Sequence, residues 1–132
     1  YLETRNDIDR TKMAYFGFSW GAAVAPVLLA VEQRFHVAIL GAGGLEFQRA
    51  LPEVDTINFV THVRIPVLMA NGRYDNFFLL DSSQLPLFRL LGTPEADKRH
   101  DIYETGHVMF GKNFVRDSLG WLDKYLGPVG GR

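Results

Sequence analysis

The segment YFGFSWGAA, from Tyr15 to Ala23, ends a short apolar run and places one serine between two glycines. This pattern predicts a β-strand that turns abruptly into a helix, with Ser19 strained at the turn and its hydroxyl exposed above the sheet. Glycine is expected at positions 17 and 21 because side chains there would collide with neighbouring backbone. Ser19 is equally suited to cap the amino end of the helix, so the segment alone leaves both interpretations open.

Further short apolar runs alternate with helical patterns along the rest of the chain. They predict strands over 12–18, 36–42, 65–72 and 99–105, and helices over 20–32, 81–91 and 113–126. Pro26 is expected to kink the first helix. This alternation predicts an α/β fold, a three-layer sandwich around a mostly parallel sheet of about four strands. The irregular segment 43–62 is expected to pack over one end of the sheet, and residues 127–132 are expected to fray.

Composition excludes several classes of function. The chain has 132 residues, 47% of them hydrophobic, which is enough for one domain with a sizeable core. Its net charge is -1 and its basic residues are scattered, so a nucleic-acid partner is not expected. No run is long enough to span a bilayer, so we expect no membrane partner. The absence of cysteine fits a reducing compartment, from which we expect a cytoplasmic location, and we expect no metal or other cofactor.

Three polar residues fall where predicted strands end, at the carboxyl edge where α/β sheets gather functional groups. Ser19 follows the first strand, Asp75 the third and His107 the fourth. Asp75 is also a typical turn residue, and a lone histidine is most often structural. We expect structural roles for the remaining histidines and a helix N-cap role for one further aspartate: His36, His62, His100 and Asp81.

An imidazole beside a serine can accept the hydroxyl proton when a carboxylate fixes its tautomer and stabilises the imidazolium. His107 is the histidine placed for this task, and Asp75 is the candidate carboxylate. The aromatic residues near these positions could line an apolar acyl pocket or belong to the core: Trp20, Phe77, Phe78 and Phe110.

Together the segments GFSWG, VLMANGRYD and ETGHV resemble the C-terminal half of an α/β-hydrolase, closest to dienelactone-hydrolase-like proteins and acyl esterases. The resemblance runs from about residue 11 to residue 126. It implies that Ser19 is the nucleophile, His107 the general base and acid, Asp75 the orienting carboxylate and the Trp20 N–H an oxyanion donor. Dienelactone hydrolases carry cysteine at the nucleophile position, so Ser19 indicates an esterase-like relative.

The same resemblance predicts that residues 1–132 form a single domain that lacks the N-terminal half of the fold, together with the second oxyanion donor. Two functions remain open. The chain is either a serine hydrolase that acts on small carboxylic esters through an acyl-enzyme, or a non-catalytic α/β-hydrolase-derived fragment or partner-binding module.

The predicted first strand also suggests a partner. Without an upstream neighbour, the apolar strand 12–18 would lie at the edge of the sheet, where unpaired backbone groups form a template for pairing. We therefore expect a homo-oligomer, a two-fold dimer joined along this strand or the hydrophobic faces beside it.

Overall fold

One parallel sheet organises the molecule. The structure is a computed structural model that describes residue 1 and residues 4–46 and 48–128. The four strands found there pair in chain order and all run parallel. They are β1 (Ala14–Phe18), β2 (Val37–Gly41), β3 (Val67–Gly72) and β4 (Lys98–Tyr103). The predicted α/β class and strand number are confirmed, with each strand one or two residues shorter than expected at one or both ends.

Helices cover both faces of the sheet. They are α1 (Trp20–Ala23), α2 (Ala25–Val31), α3 (Leu85–Leu90) and α4 (Lys112–Leu126). Residues of α1, α2 and α3 share one buried cluster with Ala38, Leu40, Val67 and Met69. Phe114 and Trp121 of α4 share the other cluster with the alternating residues Val37, Ile39, Leu68 and Ala70. The period-two alternation of the two central strands therefore sends side chains into two cores, which gives the predicted three layers.

The first predicted helix is broken in two. It covers the expected residues 20–31, but α1 ends at Ala23 and α2 begins at Ala25. Pro26 is the cause, because it has no N–H to donate to the carbonyl four residues earlier, that of Ala22. The predicted kink at Pro26 is confirmed.

The second predicted helix begins differently from the expectation. Leu80–Gln84 form a π-helical turn that leads into α3, and the N-cap residue is Leu79 rather than Asp81. Both Ser83 N and Gln84 N donate to the Leu79 carbonyl, at 3.0 and 3.1 Å, so the first turn starts before Asp81. The predicted N-cap role of Asp81 is therefore wrong.

The segment 43–62 is irregular, as predicted, but its position is more specific than the end of the sheet. It ends in two short 3₁₀ helices, Thr56–Asn58 and Val60–His62, which pack against α2 on one face. A further 3₁₀ turn, Glu95–Asp97, precedes β4. The predicted frayed tail lies mostly outside the described residues, from Val129 onward. Among the helices that the structure describes, none is both long and apolar enough to cross a membrane.

Candidate active site

Ser19 lies at the turn between β1 and α1 in a strained conformation. Its φ of 55° and ψ of -117° fall in a region that residues with a side chain seldom adopt. Its N–H donates to the Gly41 carbonyl at 2.8 Å, which ties the turn to the end of β2. Ser19 occupies the N-cap position, yet its hydroxyl caps no backbone N–H of α1. The turn therefore leaves the hydroxyl available for another partner.

The two glycines that flank this turn differ in the space that a side chain would have. A Cβ at Gly17 would lie 2.5 Å from the Gly21 carbonyl oxygen, so the predicted backbone collision is present there. A Cβ at Gly21 would meet only the Tyr15 hydroxyl, at 4.0 Å. The predicted collision at Gly21 is therefore wrong. That hydroxyl instead donates to the Gly21 carbonyl at 2.7 Å, which holds the start of α1 against β1.

The structure brings Ser19, His107 and Asp75 into one hydrogen-bonded line. His107 Nε2 lies 2.8 Å from Ser19 Oγ, and His107 Nδ1 lies 2.8 Å from Asp75 Oδ2. With Asp75 accepting from Nδ1–H, Nε2 is left as an acceptor for the serine proton. The Asp75 side chain is fully buried, whereas that of His107 is 17% exposed. The imidazole can therefore reach a ligand while its carboxylate partner is shielded from water.

Backbone groups hold Asp75 in place. Its second oxygen, Oδ1, accepts from the N–H groups of Phe77 and Phe78, at 2.8 and 3.1 Å. These bonds satisfy a buried carboxylate that would otherwise lose its hydration without compensation. The Asx-turn chemistry predicted for a turn aspartate is thus present together with the histidine contact.

Two residues that the sequence did not single out, Gln84 and Gly72, shape the loops that carry Asp75 and His107. The buried Gln84 amide donates to the carbonyls of Gly72 and Phe78, at 2.9 and 2.7 Å, and so clamps the Asp75 loop at both ends. A Cβ at Gly72 would lie 1.9 Å from the Gly106 carbonyl oxygen. Only glycine at position 72 allows the loop before His107 to approach the end of β3 this closely.

A cleft of about 610 Å³ opens in front of Ser19 and His107. Its remaining lining residues are Trp20, Glu46, Gln48, Phe77 and Phe78. The Trp20 side chain is 68% exposed. Within the described parts of the chain, no acceptor receives the Trp20 N–H, which belongs to the residue after the serine. This N–H is free to donate to a ligand beside the Ser19 hydroxyl.

The aromatic residues near the site divide between cleft and packing. Phe77 and Phe78 contact the His107 ring, with centroids 4.8 and 6.2 Å away, and both line the cleft. Phe110 does not line it. Its ring packs on Phe18 and Phe114, at 4.7 and 5.3 Å between centroids. Phe110 therefore packs beside β1, half exposed and outside the residues that line the cleft.

The other histidines lie away from this cleft. His100 Nε2 is 3.0 Å from Asn71 Oδ1 within the β3–β4 pair, and burial lowers the pKa of His100 to about 4. His62 contacts Thr61, and His36 is exposed just before β2. Among the described residues, no group of three or more histidines or carboxylates is arranged to hold a metal ion.

Comparison with solved structures identifies the fold. A cold-adapted esterase from an Arctic intertidal metagenomic library is 25% identical, with a TM-score of 0.73, over 87% of this chain and 50% of the esterase. A putative dienelactone hydrolase from Klebsiella pneumoniae is 18% identical, with a TM-score of 0.71, over 92% and 56% of the two chains. The Pyrococcus furiosus esterase Pf2001 is 15% identical, with a TM-score of 0.73, over 89% and 55%.

No known family model and no curated protein matches the sequence. The structural likenesses nevertheless agree with one another, and the chain has the α/β-hydrolase fold. It spans about half the length of the esterases and the dienelactone hydrolase that it matches.

Proposed function

We propose that the chain carries the catalytic residues of a serine hydrolase that acts on carboxylic esters. The observation that supports this most strongly is the line from Ser19 Oγ through His107 to Asp75, with both hydrogen bonds at 2.8 Å. The strained turn under Ser19 and the cleft in front of it agree with the proposal. The esterase that is 25% identical adds a chemical precedent on the same fold.

In the first half of the proposed reaction, Ser19 Oγ attacks the ester carbonyl carbon while its proton passes to His107 Nε2. Asp75 holds the ring through Nδ1 and stabilises the imidazolium that forms. The carbonyl oxygen becomes an oxyanion and accepts the Trp20 N–H. When the intermediate collapses, the bond from carbon to the alcohol oxygen breaks, and His107 Nε2–H protonates the leaving alcohol.

The second half repeats these steps with water. His107 Nε2 takes a proton from a water molecule, whose oxygen attacks the acyl carbon of the acyl-enzyme. Collapse breaks the bond between that carbon and Ser19 Oγ, and His107 returns the proton to the serine. The product is the free carboxylic acid, and the enzyme regains its starting state.

A fluorophosphonate probe tests the nucleophile directly. It should label the protein once, at Ser19, and labelling should be lost in Ser19→Ala. Ser82→Ala is the matched control, because Ser82 is an exposed serine on the π-helical turn away from the cleft. Labelling of Ser82→Ala should equal that of the wild type.

Two outcomes would overturn the proposal. Labelling that persists in Ser19→Ala would place the reactive group elsewhere. A folded wild-type chain that takes up no label, and hydrolyses no short-chain aryl ester, would favour the alternative of a non-catalytic, partner-binding module.

We also propose a second copy of this chain as a partner. β1 pairs only with β2 in the described sheet, and Phe16 on β1 is 54% exposed. No charged residue or proline interrupts Ala14–Phe18, so this edge lacks the residues that discourage pairing. Two copies related by a two-fold axis would join their β1 strands antiparallel and continue the sheet.

Light scattering after size exclusion tests the dimer. We expect twice the chain mass of 14.9 kDa for the wild type and for the surface control Leu119→Lys on α4, and the single mass for Phe16→Lys. A wild-type monomer at micromolar concentration would contradict this proposal.

A further inference from the structure

A second cavity adjoins the cleft that holds Ser19. It has a volume of about 610 Å³ and lies between the outer face of α1–α2 and the segments 45–46 and 48–57. Its walls are mainly aliphatic: Val24, Val27, Leu28, Val31, Val54 and Ile57. We call this cavity the aliphatic groove. Leu28, Val31, Val54 and Ile57 are exposed there, and a contiguous exposed apolar surface marks a binding site more often than isolated apolar residues do.

The aliphatic groove adjoins the cleft and shares three lining residues with it. Trp20, Glu46 and Gln48 line both of them. The Trp20 indole stands at the junction, one residue after Ser19. A ligand whose reacting carbon lies at Ser19 Oγ would therefore pass Trp20 to reach the groove.

The charges around the groove favour an uncharged occupant. Arg49 and Asp55 form an ion pair at 2.6 Å, and this pairing holds the pKa of Asp55 below its usual range. Asp55 Oδ1 also accepts from Ile57 N, which holds the carboxylate of the ion pair in the groove wall. Glu46 is the other charged lining residue and has no ionic partner in the part of the chain that the structure describes. Its carboxylate repels an anionic ligand at the junction.

We propose that the aliphatic groove binds the uncharged aliphatic chain of the ester whose carbonyl lies at Ser19. The protein then prefers esters with a medium-length aliphatic chain to acetates of short alcohols. This inference rests on the proposed function for its reacting centre. A volume of about 610 Å³ lies within the range of roughly 300–1,000 Å³ that small-molecule sites occupy. The aliphatic chain of the ester can belong to its acyl part or to its alcohol part, and two substrate series distinguish these cases.

Two substrate series measure the groove through activity. One lengthens the acyl group from p-nitrophenyl acetate to p-nitrophenyl octanoate, and the other lengthens the alcohol from methyl acetate to octyl acetate. In one of the series, kcat/KM should rise roughly three- to fourfold for each methylene that becomes buried. Leu28→Glu places a charge in the groove wall and should flatten that rise. Leu119→Glu, a leucine of similar exposure on α4, should preserve it.

Flat profiles in both series would overturn the inference. So would a rise that Leu28→Glu leaves unchanged, or one that Leu119→Glu abolishes equally.

A binding measurement separates the groove from the chemistry. In Ser19→Ala, which cannot be acylated, titration with methyl octanoate should shift the emission of the exposed Trp20. The buried Trp121 should not respond, so Trp20→Phe in the same background should remove the shift. Adding Leu28→Glu should raise the apparent Kd at least tenfold.

The two proposals fail in different ways. Saturable binding without fluorophosphonate labelling of the wild type would retain the groove and overturn the proposed function. Labelling of Ser19 without saturable binding of either methyl octanoate or octyl acetate would retain the proposed function and overturn the groove.

Discussion

His107 and His100 each pair with a polar side chain of a neighbouring segment, one beyond the end of β4 and one within it. His107 Nδ1 lies 2.8 Å from Asp75 Oδ2, and His100 Nε2 lies 3.0 Å from Asn71 Oδ1. His100 belongs to β4, and its other ring nitrogen, Nδ1, is buried with no partner among the described residues. His107 follows the end of β4, and its other nitrogen meets the Ser19 hydroxyl.

The comparison of His107 with His100 shows that the hydrogen-bond partner of a histidine does not by itself define the role of the ring. Within the strand, the sheet and Phe88 cover His100, and burial keeps it neutral by lowering its pKa to about 4. Beyond the strand end, the loop exposes one face of His107 to the cleft while its carboxylate stays buried. Depth relative to the strand end therefore decides whether the second nitrogen is available for chemistry.

The largest effect should come from the partner of His107. Asp75→Asn should reduce ester hydrolysis by about 10⁴-fold, because an amide favours the wrong imidazole tautomer and cannot stabilise the imidazolium. Asp81→Asn, at an exposed position, is the control and should change the rate little. Steady-state kinetics on a short aryl ester measures both variants. Equal rates in Asp75→Asn and wild type would remove Asp75 from the proposed mechanism.

The two histidines should respond to the same substitution in opposite ways. His107→Gln should lower kcat by roughly 10²- to 10⁴-fold, the usual contribution of a general acid–base, with little change in Tm. His100→Gln should leave kcat within a few-fold and destabilise the fold by about 1–3 kcal/mol, since a buried hydrogen-bonded group is disturbed. Kinetics and urea unfolding of both variants provide the measurements. Loss of activity in a stable His100→Gln would break the comparison.

Acid should lower the stability of the fold through His100. The folded-state pKa of His100 is about 4, below the value of 6.5 for an unperturbed imidazole. The unfolded chain therefore binds the extra proton first, and the stability that neutral His100 contributes is complete above pH 6.5 and is lost as the pH falls towards 4.

Between pH 7 and pH 4.5 this loss should reach about 2–3 kcal/mol, at about 1.4 kcal/mol for each pKa unit. Urea unfolding of wild type and His100→Gln at the two pH values isolates the contribution, because the carboxylates titrate alike in both proteins. Parallel losses in the two proteins would contradict the assignment to His100.

The smallest effects should come from the glycines beside Ser19. Gly17→Ala should destabilise the fold by about 1–3 kcal/mol, because the added Cβ meets the Gly21 carbonyl oxygen at 2.5 Å. Gly21→Ala has open space and lies in α1, so it should change stability by less than about 1 kcal/mol, in the stabilising direction. Thermal unfolding of the pair tests the difference. Equal destabilisation by both substitutions would contradict the open space at Gly21 and support the collision predicted from the sequence.

The sequence predicted those parts of the fold that local patterns determine. Apolar runs that end near glycine predicted β2 and β3, and the lack of an N–H at Pro26 predicted the break between α1 and α2. Ser19, Asp75 and His107 could be selected because parallel strands place their carboxyl ends at one edge.

Features that depend on contacts between distant segments could not be predicted. The Gln84 clamp joins a π-helical turn to carbonyls of another loop, and Gln84 carries no local signal of that role. The need for glycine at position 72 arises from Gly106, 34 residues away in the chain. The aliphatic groove requires two segments that meet only in the folded structure.

The strand order and the position of His107 determine when Ser19 and His107 can meet during synthesis. In the described sheet, β2, β3 and β4 each pair with the strand that precedes them in the chain, so this part of the sheet can grow in the order of synthesis. The hydrogen bond between Ser19 and His107, however, spans 88 residues. A nascent chain that has exposed Ser19 and even Asp75 still lacks the imidazole. The Ser19 hydroxyl therefore has no imidazole partner until β4 has docked and the loop after it has folded, so a nascent chain that ends before His107 lacks the proposed triad.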